Sequence, residues 1–151
     1  ADDSVQLLSK EMYREFVLPC HQRMRDELCT VTAGGSIHLC GDSTRHFETI
    51  RDELGIRSFD TGFPVDHARL RQTLGRDIEI KGGPHIELMR SGSTQQVFNR
   101  ACDILNSGAT DGGRFVLREG NNLAPDTPLE NIAALYEAAH IVGRYGTQSN
   151  S

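Results

Sequence analysis

Apolar positions recur along the chain at two spacings, and their alternation predicts the fold class. Met12, Phe16 and Val17 share one face of a helix predicted over 10–29, which Ser9 can cap and which Pro19 should kink or end half-way. Thr-Ala-Gly-Gly at 32–35 breaks the chain, and 36–40 then reads as a short strand. Phe47, Ile50 and Leu54 mark a helix over 44–54 that Gly55 terminates. A second strand over 56–60, a loop around Gly62-Phe63-Pro64 and a short helix over 66–74 closed by Gly75 follow. The third strand, 77–81, stops at Gly82-Gly83-Pro84. Ser93 and Gln96 form a capping box for a helix whose apolar stripe is Val97, Ala101, Ile104 and Leu105, running through to Gly108. Residues 114–118 make the fourth strand and 120–125 a polar loop. Thr127, Pro128 and Glu130 supply an N-cap, a first helical position and an acid three after the cap for a last helix ending near Val142. A frayed tail is expected over 146–151.

Four strands, each followed by a helix, predict an α/β fold with parallel pairing and right-handed crossovers. A closed eight-stranded barrel takes roughly 250 residues. This chain of 151 residues holds half that number of strands, so it reads as one half-barrel domain over 1–151. Its polar residues gather at the carboxyl ends of the strands, where β/α barrels build their sites.

Composition changes the picture mainly by exclusion. The net charge of −5 disfavours non-specific nucleic-acid binding and attraction to an anionic membrane. No apolar run approaches the roughly 20 residues of a membrane span, and the acidic N-terminus does not read as a signal peptide. Cys20, Cys29, Cys40 and Cys102 are too scattered for a disulfide framework, so a reduced cytoplasm is the expected setting. The 16 bases are almost all arginine, with Lys10 and Lys81 the two lysines, and this skew carries no functional argument. No phosphate loop, dinucleotide fingerprint or nucleophile elbow is present.

His38-Leu39-Cys40 is the sharpest candidate for chemistry. The strand period of two puts both side chains on one face, about 7 Å apart along the strand, where they can converge on one ion. Imidazole with thiolate suits zinc, which in a catalytic site takes three protein ligands and keeps one position open. The competing reading makes His38 a hydrogen-bonded core residue and Cys40 a small buried hydrophobe. Asp60 can serve as carboxylate ligand, general base or turn cap. Glu119 can ligate a metal or pair with Arg118, and Asn121 and Asn122 can bind substrate or shape their loop. Gly82 and Gly83 allow close backbone approach to a ligand, or simply turn the chain. Most of the remaining histidines are expected to face solvent, with His85 the exception because it follows the glycine turn.

Three segments carry a family resemblance: Ser-Ile-His-Leu-Cys-Gly-Asp at 36–42, Ile-Lys-Gly-Gly-Pro at 80–84, and Phe-Val-Leu-Arg-Glu-Gly-Asn-Asn-Leu-Ala-Pro-Asp-Thr-Pro-Leu-Glu-Asn at 115–131. The chain resembles the C-terminal half of the uroporphyrinogen decarboxylase superfamily, whose fold is a β/α barrel. One branch decarboxylates a tetrapyrrole in haem biosynthesis, without a metal or organic cofactor. It binds substrate carboxylates with residues of the other half, and it carries a His in the loop where Asn121 stands. The other branch consists of zinc methyltransferases that move a methyl group from a corrinoid protein to a thiol. These carry His-x-Cys at the place of His38 and Cys40, with a distant Cys where Asn121 stands. The resemblance favours the second branch, because His-x-Cys has a mechanism there and none in the first. It implies zinc on His38 and Cys40, with Asp60 or Glu119 as a further ligand, and a corrinoid carried by a partner protein; the residues themselves make Asp60 and Glu119 the catalytic candidates. Substrate contacts fall to Gly82, Gly83, Arg118, Asn121 and Asn122. Decarboxylation is the alternative, and a non-catalytic half-barrel subunit is a second one. Either way the other half of the barrel, or a second chain, is the expected partner.

Overall fold

The computed structural model describes residues 2–28 and 34–145. The frayed tail expected over 146–151, and the chain break at 32–33, lie outside those residues. Four strands form one parallel sheet in sequential order: β1 (Ser36–Leu39), β2 (Ser58–Thr61), β3 (Glu79–Gly82) and β4 (Phe115–Leu117). Helices follow each strand: α3 (Phe47–Leu54), α4 (His67–Leu74), the pair α5 (Ile86–Ser91) and α6 (Thr94–Ile104), and α7 (Leu129–Val142). Ahead of the sheet, α1 (Lys10–Met12) and α2 (Leu18–Leu28) are joined by a π-helical turn over Tyr13–Val17.

Pro19 neither ends this helix nor splits it. The Leu18 N–H reaches back to the Tyr13 carbonyl, and the widened turn carries the helix into Pro19. A π turn is one of the known ways a helix absorbs a proline's missing donor and its ring. The short helix α5 was not legible as an element, since six residues after Gly-Gly-Pro give no repeat to read. The last helix begins one residue later than the cap motif predicts. Pro128 is extended and is itself the N-cap, while the Thr127 hydroxyl turns back to the Ala124 carbonyl at 2.8 Å. The capping box at Ser93 and Gln96 is present as predicted, with both reciprocal bonds made.

Sheet alternation sorts the strand residues into two faces. Leu39, Phe59, Ile80 and Phe115 are buried against the helices and form the main core with Phe47, Ile50, Leu70 and Leu74. A second cluster joins α5, α6 and α7 through Met89, Val97, Ala101 and Ala138. The opposite face is polar. Ser36, Ser58 and Glu79 lie in one row across the sheet, and His38, Asp60, Lys81 and Val116 in the next. In a barrel this face looks into the lumen. β1 and β4 are the outer strands, each with one strand neighbour. Among the described residues no helix is long and apolar enough to cross a membrane.

Candidate active site at the carboxyl edge of the sheet

His38 and Cys40 leave the end of β1 on the lumen side, and their donor atoms meet. His38 Nε2 lies 3.3 Å from Cys40 Sγ. The other ring nitrogen, Nδ1, lies 3.0 Å from Asp60 Oδ2 on the neighbouring strand. That pairing follows from register, since His38 and Asp60 are direct cross-strand partners in the parallel ladder. Asp60 is held in turn by Arg118, whose Nη1 donates to both carboxylate oxygens at 3.1 and 3.0 Å. Arg118 Nη2 donates to Glu119 Oε1 at 2.6 Å and to the Asn121 carbonyl at 2.5 Å. Its hydrogen bond to Glu119, and the two carboxylates around it, hold the guanidinium proton more firmly than usual.

Asp60 therefore orients His38 and does not converge with the donor pair. Among the described residues, Glu119 joins the cluster through Arg118. The carboxylate that does converge is Asp3, which sequence reasoning missed. One donor atom each from Asp3, His38 and Cys40 lies within 4.8 Å of the others. Asp3 Oδ1 accepts from the Cys40 N–H at 3.2 Å and sits 3.9 Å from His38 Nε2. Nothing in its spacing could have found it, since 35 residues separate it from His38 and the contact is made by the chain before α1 folding across the end of β1.

This donor set fits zinc. Bonds of about 2.1 Å to nitrogen and 2.3 Å to sulfur at a tetrahedral angle place the two donors roughly 3.5 Å apart. A carboxylate on the remote ring nitrogen is the usual companion of a metal-bound histidine, because it fixes the tautomer that leaves the other nitrogen free to bind. The Cys40 thiol is pushed up by burial, then by the charges of Asp3 and Asp60. Without a cation it stays protonated, and a divalent ion reverses that preference.

Gly82 and Gly83 are buried, and the close approach they permit is to the protein's own chain. A Cβ on Gly82 would meet His67 Nε2 at 2.4 Å and Thr61 Oγ1 at 2.5 Å, and one on Gly83 would collide with the Arg118 carbonyl. Asn122 is exposed, and Asn121 is half-buried with its carbonyl, not its amide, on Arg118. Asn121→Ala is accordingly expected to change stability by less than about 0.5 kcal/mol while weakening substrate binding. Denaturant titration beside steady-state kinetics checks both halves, and a stability loss above that limit would make the side chain structural. Two histidines expected at the surface are buried instead. His46 Nε2 donates to the Leu8 carbonyl, 3.1 Å away, and its ring packs on Tyr13. His67 lies between Thr61 and the Phe115 ring. His85 is half-buried, its ring centroid 3.8 Å from that of Phe63 with the two rings tilted by 43°.

A cavity of about 510 Å³ lies outside this cluster, lined by Asp42, Phe63, His67 and Arg100 among others. It does not include His38, Cys40 or Asp60, which stand on a sheet face with no opposite wall among the described residues.

The uroporphyrinogen decarboxylase (URO-D) family pattern matches residues 1–142. The chain belongs to that family. Over 137 residues it is 36% identical to the methylated-thiol–coenzyme M methyltransferase of Methanosarcina mazei, covering 89% of this chain and 34% of that protein. It is 23% identical over 136 residues to the methylcobamide:CoM methyltransferase MtbA of Methanosarcina acetivorans, covering 90% and 38%. It is 27% identical over 135 residues to the uroporphyrinogen decarboxylase of Coxiella burnetii, covering 87% and 37%. A solved methyltransferase from Methanosarcina mazei superimposes with a TM-score of 0.71 at 21% identity, over 92% of this chain and 40% of that one. The chain thus spans between a third and two fifths of these relatives, and its four βα units are a partial barrel. The relative at 36% identity is a methyltransferase, in keeping with the branch His-x-Cys favours.

Proposed function

We propose that this chain is the metal-binding part of a corrinoid-linked thiol methyltransferase, with zinc on His38 and Cys40. The observation that carries the reading is the pair of donors 3.3 Å apart, with the far ring nitrogen of His38 already occupied by Asp60. The name of the relative at 36% identity supports the same reaction class. Zinc bound there supplies the positive charge that holds a substrate thiol as thiolate at neutral pH. The protein's own part is to keep that position open and oriented. Asp60 accepts from His38 Nδ1, so the Nε2 lone pair points toward Cys40, and Arg118 fixes Asp60 by gripping both its oxygens. Glu119 and the Asn121 carbonyl share Arg118 and stop it from swinging into the site. A corrinoid protein presents the methyl group at the carboxyl edge of the sheet, and the rest of the barrel, in the same protein or a second chain, closes the lumen.

Elemental analysis of the complete protein, purified without chelator, is expected to give about one zinc per chain. Cys40→Ala should remove it, because one imidazole with one carboxylate cannot replace the thiolate. Binding should weaken as pH falls, since thiol and imidazole must both give up protons. A metal-free wild type that turns over uroporphyrinogen would overturn the reading in favour of decarboxylation. A metal-free wild type without either activity would leave the fold as a non-catalytic half-barrel subunit.

A further inference from the structure

The segment before α1 is more firmly seated than an exposed leader needs to be. Val5 is fully buried in the main core. The Asp2 N–H donates to the His38 carbonyl at 3.1 Å, so the segment lies along the outer edge of β1 beside the donor pair. Gly41 adopts a φ of 68°, and the Gln6 side-chain amide occupies the space a Cβ there would fill. Gln6 Nε2 also donates to the Asp3 carbonyl at 3.1 Å.

A chain of polar side chains fastens the same segment from the other side. Tyr13 is fully buried on the π-helical turn, and its hydroxyl lies 3.1 Å from His21 Nδ1. His21 Nε2 lies 3.2 Å from Asp2 Oδ2. The polarity of the chain is self-consistent. The tyrosine hydroxyl donates to Nδ1, which leaves the proton of a neutral imidazole on Nε2, aimed at the carboxylate. Burial raises the Tyr13 hydroxyl's pKa, which keeps it a donor. The second oxygen of Asp2 accepts from the Ser4 N–H at 3.0 Å, curling the backbone between them. Asp3 sits on that curl.

We propose that Asp3 is the third protein ligand of the metal site, and that the Tyr13–His21–Asp2 chain is what positions it. The proposal rests on the zinc reading of His38 and Cys40. Asp3 Oδ1 is already anchored by the Cys40 N–H, which leaves Oδ2 without a partner among the described residues and directs the carboxylate to the ion's side of β1. Its side chain is 62% exposed, so ligation from this strap leaves the remaining position open to an incoming thiol. His21 and Tyr13 touch neither metal donor; they are positioning residues. A spare aspartate on a flexible leader would need none of this anchorage.

The test is zinc affinity of the complete protein by chelator competition, with cobalt(II) absorption as a second readout. Asp3→Asn keeps the shape and the acceptor for the Cys40 N–H but loses the charge; it should weaken zinc at least about tenfold and alter the cobalt ligand-field bands. Tyr13→Phe and His21→Phe should each weaken zinc by about tenfold, the lower end of what outer partners of metal ligands contribute. The cysteine-to-cobalt charge-transfer band should persist in all three, showing that Cys40 still binds. Unchanged affinity and bands in Asp3→Asn overturn the proposal and leave the zinc reading standing. Weakening by Asp3→Asn with no effect of either phenylalanine variant overturns the positioning chain. A wild type that takes up neither zinc nor cobalt overturns both.

Discussion

Arg71→Met is expected to destabilise the fold by about 4 kcal/mol. Arg71 is only 3% exposed, and among the described residues no carboxylate pairs with it. Its partners are four carbonyls. Nε donates to Ala109 O at 3.0 Å, Nη1 to Gly75 O at 2.8 Å and Ile78 O at 2.6 Å, and Nη2 to Arg114 O at 2.9 Å. These oxygens belong to the turn after α6, the loop after α4, and the entries to β3 and β4. One guanidinium thus ties together the amino-terminal edge of the sheet, opposite the candidate site. Burial makes the group less willing to carry its proton, and the carbonyl dipoles offset that cost. Methionine keeps the apolar stem and removes every donor. The Arg114 carbonyl retains the Ile80 N–H and that of Gly75 is half-buried, but the buried Ala109 and Ile78 carbonyls lose a bond at about 1–3 kcal/mol per unsatisfied group. Arg71→Lys keeps the charge without the fork and should fall between the two. Chemical denaturation at neutral pH reads all three, and a loss below about 1 kcal/mol for methionine would show that water already reaches those carbonyls.

The two edges of the sheet therefore divide labour, which bears on how much the sequence could disclose. The strand order and lumen-facing His38, Asp60 and Arg118 were legible, because parallel βα units fix both the alternation and the edge where sites are built. What escaped were contacts that no spacing encodes. Arg71 sits in no motif that singles it out, and only the fold shows four carbonyls converging on it. Asp3 is likewise invisible until the leader crosses β1. His46 and His67 read as surface because no spaced partner marks them, yet as neutral rings both pack against aromatic neighbours. The His38–Asp60 bond lies between: the strands are predicted, but their register decides that Asp60 meets Nδ1 and does not join Cys40 at Nε2.

His67 should make the protein lose stability steeply in mild acid. It is 5% exposed, its Nδ1 has no hydrogen-bond partner among the described residues, and its Nε2 stands 3.5 Å from Thr61 Oγ1 over Gly82. Burial, with a smaller contribution from Arg100 and partial relief from Asp66, pushes its pKa down from 6.5 to about 4. The folded protein therefore refuses a proton that the unfolded chain accepts below about pH 6.5. Its contribution is fully present above that value, shrinks by about 1.4 kcal/mol per pH unit below it, and is lost by pH 4. Across that window the total is about 3 kcal/mol. Carboxylates also titrate at the acid end, so the wild type alone cannot isolate the effect. His67→Gln can: it keeps a polar group for the Thr61 hydroxyl and has no proton to gain. Denaturant midpoints measured from pH 7.5 to 4.5 should show the variant less stable than wild type at the alkaline end and the gap closing or reversing toward the acid end. Parallel curves would mean that His67 is protonated as readily folded as unfolded, and that its site is wetter than its burial shows.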